Sequence, residues 1–168
     1  DHKSSRGLGD VYKRQSLRYL VDENSSLKIG YAKMAQFLHL LTNSGIGLPT
    51  DLWVPATQQI KPQFSDQIAI GYARTISNKI EFSLEGYYKT MENLIEYKDG
   101  ASFFDSETDW QDKVHIGRGW SYGGELLIEK KMGKTTGWIG YTLSWTNRQF
   151  DSINFGQTYP YRYDRRHD

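Results

Sequence analysis

The stretch that decides the fold is Ile80-Glu-Phe-Ser-Leu-Glu-Gly-Tyr-Tyr-Lys89, in which apolar and polar residues alternate. The even positions hold Ile, Phe, Leu, Gly and Tyr, and the odd positions include two glutamates and a lysine. Successive side chains of a strand point to opposite faces of a sheet, so the alternation predicts a strand with one apolar and one charged face. A helix fits poorly, because neither the glycines nor the aromatic residues repeat every 3.6 residues.

The same alternation continues on both sides of this stretch. It recurs in Tyr122-Gly-Gly-Glu-Leu-Leu-Ile-Glu-Lys-Lys131 and in Trp138-Ile-Gly-Tyr-Thr-Leu143. Strands are predicted at Ser16–Asp22, Leu27–Leu38, Asp66–Ile76, Ile80–Tyr97, Val114–Lys131 and Trp138–Phe150. The chain is therefore expected to be all-β and antiparallel, with about six strands joined as hairpins.

The predicted connections alternate in length along the chain. Short turns are predicted at residues 23–26, 77–79 and 132–137. Long irregular loops are predicted at residues 39–66, 98–113 and 151–168. Short turns at one end and long loops at the other are typical of outer-membrane β-barrels, whose long loops are extracellular. Since the smallest such barrels have about eight strands, we expect these six to form a segment of a larger transmembrane barrel.

The composition agrees with a barrel wall and excludes several other classes. The formal net charge of +1 gives no electrostatic signature of nucleic-acid binding. The absence of cysteine excludes disulfides and thiolate metal sites. No apolar run reaches the about 18 residues of a transmembrane helix. Residues 1–15 are basic and lack the alternation, so we interpret them as a non-native or read-through segment, with a short polar arm as the alternative.

The alternation of odd and even positions along each strand assigns side chains to the two faces of the predicted barrel segment. Apolar side chains are expected to face lipid at Ile68, Ile70, Tyr72, Ile80, Phe82, Leu84, Leu126, Ile128, Ile139 and Tyr141. Carboxylates are expected to face a wet lumen at Glu81, Glu85, Glu125 and Glu129, since the reverse would place them in hydrocarbon. Tyr72, Tyr141 and Trp145 are candidates for interfacial aromatic belts.

Several segments of residues 16–168 resemble a known family. They include Glu85-Gly-Tyr-Tyr-Lys-Thr-Met-Glu-Asn-Leu-Ile-Glu-Tyr97, Gly119-Trp-Ser-Tyr-Gly-Gly-Glu-Leu126 and Arg162-Tyr-Asp-Arg-Arg-His-Asp168. Together they resemble the C-terminal β-barrel of TonB-dependent outer-membrane receptors of the Bacteroidetes type. The resemblance implies a barrel of about 22 strands around an N-terminal plug, which couples to the TonB energy complex.

The resemblance also implies partners and a location. The expected ligand is an iron chelate, cobalamin, a glycan or a peptide, and a surface lipoprotein is a further candidate partner. The expected location is the outer membrane of a Gram-negative bacterium, in contact with lipid and without nucleic acid. This chain shows no signal sequence, plug or TonB-box, so we expect it to be a fragment of such a receptor. A passive porin-like barrel and a soluble β-rich carbohydrate-binding module stay open as alternatives.

Candidate site residues come from the predicted loops. Trp53, Phe103, Phe104 and Trp110 could stack on the rings of a ligand, or they could pack the loops against one another. The glutamates predicted to face the lumen recur at even spacing, as expected of the polar side of a strand, so their positions need no catalytic role. No enzyme activity, catalytic residue or cofactor is therefore expected. The histidines lack ligand spacing, so no metal site is expected. Gly117-Arg-Gly-Trp-Ser-Tyr-Gly123 resembles a nucleotide fingerprint but leads into no helix, which favours strand packing as the role of its glycines.

Overall fold

The structure is a computed structural model that describes residues 10–42, 51–77, 79–98 and 109–168. Its strands within these residues are β1 (Asp10–Asp22), β2 (Ser25–Gln36), β3 (Leu38–Thr42), β4 (Asp51–Pro55), β5 (Gln63–Ile76), β6 (Ile80–Tyr97), β7 (Val114–Lys130), β8 (Gly137–Gln149) and β9 (Tyr159–Pro160). Seven of them form one antiparallel sheet in the order β1-β2-β5-β6-β7-β8-β9, and β3 pairs with β4. The prediction of an all-β chain with antiparallel strands is confirmed.

The register of the sheet places the apolar side chains on one face. A single lateral row crosses six strands as Tyr19, Leu27, Tyr72, Leu84, Leu126 and Tyr141. The adjacent row, on the opposite face, contains Arg18, Lys28, Gly71, Glu85, Glu125 and Thr142. We call these the apolar face and the polar face. The pairing therefore keeps the period-two pattern of each strand in phase across the whole sheet.

No part of the described chain covers the apolar face. Ile70 in the middle of the sheet is 55% exposed, and Ile139 on β8 is 69% exposed. The buried apolar side chains instead gather at the end of the sheet that carries the long connections. The described residues contain no helix that is long and apolar enough to cross a membrane.

The sheet is open within the described residues. β1 and β9 are its first and last strands, and no pairing joins them. The short connections, at residues 23–24, 77–79 and 131–136, lie at one end of the sheet, and the longer connections lie at the other. We call the second end the loop end.

Two sequence expectations about the first half of the chain need correction. β1 begins at Asp10, which pairs with Ala35, so the first strand starts earlier than the predicted Ser16. Residues 39–66 were expected to lack regular structure, but they contain most of β3 and all of β4. These strands are five residues each and are too uniformly apolar for an alternation to stand out.

The segment at residues 151–168 was predicted as a loop, and it also needs correction. After a turn it returns along β8, where Tyr161 donates its backbone N–H to Thr146 and Ser144 donates its own to Arg166. The backbone leaves the ladder between these points, and the Asp164 side chain accepts the N–H of Thr146 at 2.9 Å. A side chain thus replaces a backbone partner, which sequence alternation cannot reveal.

Candidate functional site

The loop end of the sheet is anchored by a small hydrophobic cluster. Leu41 of β3, Val54 of β4, Ile60, Ile95 of β6 and Val114 of β7 pack together there. Each of these side chains is at most 6% exposed, and we call the cluster the loop core. It fixes the β3–β4 hairpin against the outer ends of β6 and β7, because separating them would expose all five side chains to water.

Polar contacts add to this anchoring at the one-turn 3₁₀ helix Trp110–Lys113. Asp109 precedes this helix, and its carboxylate accepts the backbone N–H of Gln111 at 3.0 Å. The hydroxyl of Thr57 donates to the side chain of Gln111 at 2.6 Å and accepts the backbone N–H of Ile60 at 3.0 Å. The segment after β4 and the segment before β7 are therefore joined directly, although they are far apart in the chain.

A bulge in β6 directs its outer end into the loop core. The pairing with β7 shifts between Met91 and Leu94, and Asn93 has a φ of 57°. Asparagine tolerates this left-handed conformation better than most residues. Its side-chain amide donates to the backbone oxygen of Pro62 at 2.9 Å, which connects the bulge to the segment before β5. Bulges of this kind change the direction of a strand, and here the strand ends against the β3–β4 hairpin.

The aromatic residues proposed for ligand contact differ in how exposed they are. Trp53 lies on the outer face of the β3–β4 hairpin, opposite Leu40, and is 51% exposed. Trp110 packs against the loop core instead. Trp53 therefore remains available to a ligand, whereas Trp110 serves packing. Phe103 and Phe104 lie outside the described residues.

His39 is a buried polar residue at the same end. It has no exposed surface, and its Nδ1 lies 3.0 Å from the side-chain amide of Gln63. Burial lowers the pKa of His39 below its ordinary value, and a backbone hydrogen bond with Lys61 offsets part of this effect. The neutral imidazole is therefore the form that fits the docked hairpin.

We expect acidification to weaken the docking of the β3–β4 hairpin. When the hairpin is undocked, His39 titrates near pH 6.5, whereas in the docked state its pKa is lower. Between these two values the undocked state holds more protons, so stability rises with pH and falls on acidification through about pH 6.5. Hydrogen exchange of the β3 amides, corrected for intrinsic rates, should show more opening at pH 5.5 than at pH 7.5.

Two variants make this measurement specific. His39→Gln should lose the pH dependence, because its side chain stays neutral. His115→Asn is the matched control, since His115 is only partly buried at the same end of the sheet. An unchanged pH dependence in His39→Gln would show that another group is responsible.

A second network fastens the C-terminal segment to the loop end. The guanidinium of Arg148 lies 3.6 Å from the ring centre of Tyr161 and 3.7 Å from the carboxylate of Glu96. The Tyr159 hydroxyl donates to the same carboxylate at 2.8 Å. Burial, followed by this hydrogen bond to Glu96, raises the pKa of Tyr159. The sequence analysis missed this network, since its members lie on three different strands or loops.

The predicted lumenal glutamates form two cross-strand pairs on the polar face. Glu81 faces Glu129, and Lys131 lies 2.7 Å and 3.9 Å from their carboxylates, which offsets the repulsion. Glu85 faces Glu125, and no ion pair within the described residues includes either of them. Among the described residues, no three side chains of metal-ligand type gather in one place.

The basic cluster at the C-terminus is divided among separate contacts. Arg166 lies 3.5 Å from the Asp164 carboxylate, and the His167 ring lies 2.7 Å from the hydroxyl of Tyr141. Arg162 lies over the ring of Tyr163 at 5.5 Å. Of these contacts, the one between His167 and Tyr141 joins the returning segment to β8, whereas the two arginine contacts lie within the segment. The basic side chains therefore do not converge on one point.

Comparisons with protein-family models, with curated proteins and with solved structures find no match to this chain.

Proposed function

We propose that this chain is part of the barrel wall of a TonB-dependent outer-membrane receptor that takes up a scarce or bulky ligand. The observation that carries the proposal is the apolar face, which is in register across six strands and uncovered. Monomeric soluble proteins rarely expose apolar patches of more than a few hundred Å². Lipid is the surrounding that stabilises such a face, while the polar face borders a wet lumen.

The unpaired edges of the sheet favour the interpretation that this segment is part of a larger barrel. Unpaired backbone groups cannot stay in hydrocarbon, because each one costs several kcal/mol without a hydrogen-bond partner. Further strands would therefore pair with β1 and with the segment after β9. In the complete receptor, the loop end would face outwards and contribute to capture of an iron chelate, cobalamin, a glycan or a peptide. Coupling to the TonB complex would depend on a plug domain, and a surface lipoprotein could assist capture.

Neighbouring residues on β5 provide a sharp test of the lipid-facing assignment. Ile70 lies on the apolar face and Ala69 on the polar face, and the chain contains no cysteine. Ile70→Cys and Ala69→Cys are each labelled with a bimane fluorophore in the complete barrel that contains this chain, and that barrel is inserted into lipid vesicles. We expect brominated lipids to quench the label at position 70 and aqueous iodide to quench the label at position 69.

Leu84→Cys and Ser83→Cys on β6 repeat the comparison on a second strand, since they lie on the apolar and polar faces respectively. Equal quenching by iodide at all four positions would contradict the proposal and favour a soluble carbohydrate-binding module. Sequencing the parent locus then separates the two membrane alternatives. A signal peptide and a plug upstream support the receptor, whereas a barrel without a plug supports a passive porin.

A further inference from the structure

Lys89 on β6 is a partly buried cation of the polar face with no anion among its described neighbours on that face. Its side chain is partly buried, and no ion pair within the described residues includes it. Its direct neighbours across the ladder are Gln67 and Ser121. The diagonal and same-strand neighbours on that face are likewise uncharged: Ser65, Ala69, Tyr87, Met91, Gly119 and Gly123. Glu85, four residues back on the same strand, is about 13 Å away along the backbone.

A cavity of about 260 Å³ lies next to this lysine. Its lining includes Lys89, Ser65, Met34 and Met91, together with Gln36 and Gln63. Met34, Ser65 and Met91 are directly paired across three strands, so they form a continuous floor.

The two glutamines connect this cavity to the β3–β4 hairpin. Gln36 donates its side-chain amide to the backbone oxygen of Leu38 at 2.6 Å, and Gln63 contacts His39. The cavity therefore lies on the polar face directly beside the β3–β4 hairpin. In the proposed receptor this is where the extracellular loops meet the lumen.

We infer that the cavity beside Lys89 binds the anionic group of a ligand, such as a carboxylate, with an apolar or aromatic body against the two methionines. Partial burial removes water from an ammonium group, and no carboxylate of the described residues pairs with Lys89 to compensate for that loss. A ligand carboxylate would supply the missing charge, and the Ser65 hydroxyl offers a second donor. Thioether side chains adapt to irregular shapes and make favourable contacts with aromatic rings. This inference rests on the proposed function, because it names the chemistry of the ligand that the receptor would admit.

Binding at this site can be followed through the NMR signals of the methionine methyl groups. The chain has three methionines, of which Met34 and Met91 line the cavity, whereas Met132 is 59% exposed in the turn at the other end of the sheet. The complete barrel that contains this chain is labelled with ¹³C at the methionine methyl groups, inserted into lipid nanodiscs and titrated with benzoate. We expect saturable shifts of the Met34 and Met91 signals and no shift of the Met132 signal.

Variants and a neutral probe test the role of the charge. Lys89→Gln should weaken benzoate binding about tenfold or more, the change expected for loss of one charge-assisted hydrogen bond. Lys28→Gln is the matched control, since Lys28 is an exposed lysine of the same face, and it should leave binding unchanged. Benzamide, which has the same ring but no charge, should bind more weakly than benzoate. Equal binding of the two probes, or unchanged binding in Lys89→Gln, would overturn the inference.

A stability measurement distinguishes a binding lysine from a structural one. Lys89→Met roughly preserves the length of the side chain and removes its charge, and it breaks no ion pair in the part of the chain that the structure describes. We expect urea unfolding of Lys89→Met to need at least as much denaturant as the parent protein, while benzoate binding is lost. A lower midpoint would show that Lys89 stabilises the fold and would count against the site.

The bimane experiment tests the proposed receptor independently of the anion site. If lipid quenches the label at position 70 but benzoate does not bind, only the anion site is overturned. If benzoate binds but the label does not contact lipid, only the receptor is overturned.

Discussion

Replacing Leu41 by alanine is expected to lower the free energy of unfolding of the loop core by about 2–5 kcal/mol. Leu41 is 1% exposed and packs among Val54, Ile60, Ile95 and Val114. The substitution removes buried apolar surface and leaves a cavity that the surrounding strands fill only partly, and the two losses add. Urea unfolding followed by tryptophan fluorescence reports the change, because Trp110 packs against this cluster.

Leu40→Ala is the matched control for Leu41→Ala. Leu40 is the preceding residue on β3, and it lies opposite Trp53 on the outer face of the hairpin. Since this face is not part of the loop core, we expect a loss below about 1 kcal/mol. Equal losses in the two variants would mean that the hairpin is not anchored through the inward face.

Gly117→Ala is expected to destabilise the loop end by about 1–3 kcal/mol or more. A Cβ at this position would lie 2.5 Å from the backbone oxygen of Gln149 and still closer to the ring of Phe150, which is 1% exposed. Neither neighbour can yield easily, because one is backbone of the paired strand and the other is a buried ring. The loss should appear as a lower urea midpoint and as faster hydrogen exchange at the β7–β8 ladder.

Gly30→Ala is the control for Gly117→Ala. Gly30 also lies within a strand on the polar face, but an added Cβ would meet no atom within 4 Å. We expect it to be neutral or slightly stabilising, because alanine restricts the unfolded chain more than glycine does. If both variants lost stability equally, the general effect of a side chain in a strand, and not the contact with Phe150, would explain the result.

These contacts give a physical reason for the glycines in the segment from Gly117 to Gly123. Gly119 leaves room for Leu94, and Gly123 allows the backbone of β8 to approach, where a Cβ would lie 2.5 Å from the Leu143 oxygen. The contacts support strand packing over nucleotide binding as the role of the glycine pattern. The sequence alone could suggest close packing, but it could not identify which side chains come close.

The sequence by itself determined six strands of the large sheet, their antiparallel hairpins and the division into two faces. These features depend on local alternation, because the side-chain direction in a strand repeats every two residues. For this reason the prediction of β6 at Ile80–Tyr97 agrees with the structure at both ends. The assignment of Glu85 and Leu84 to opposite faces is confirmed by the register.

Only the tertiary structure decided what happens at the loop end. The β3–β4 hairpin, the contact of Phe150 with Gly117 and the return of the C-terminal segment along β8 all join residues that are distant in sequence. The surroundings of Lys89 are also set by three paired strands, and a lysine in an alternating strand looks the same whether or not an anion faces it. The two-residue alternation along a strand assigns each side chain to a face of the sheet. The pairing register and the packing of the loops determine which groups that side chain contacts there.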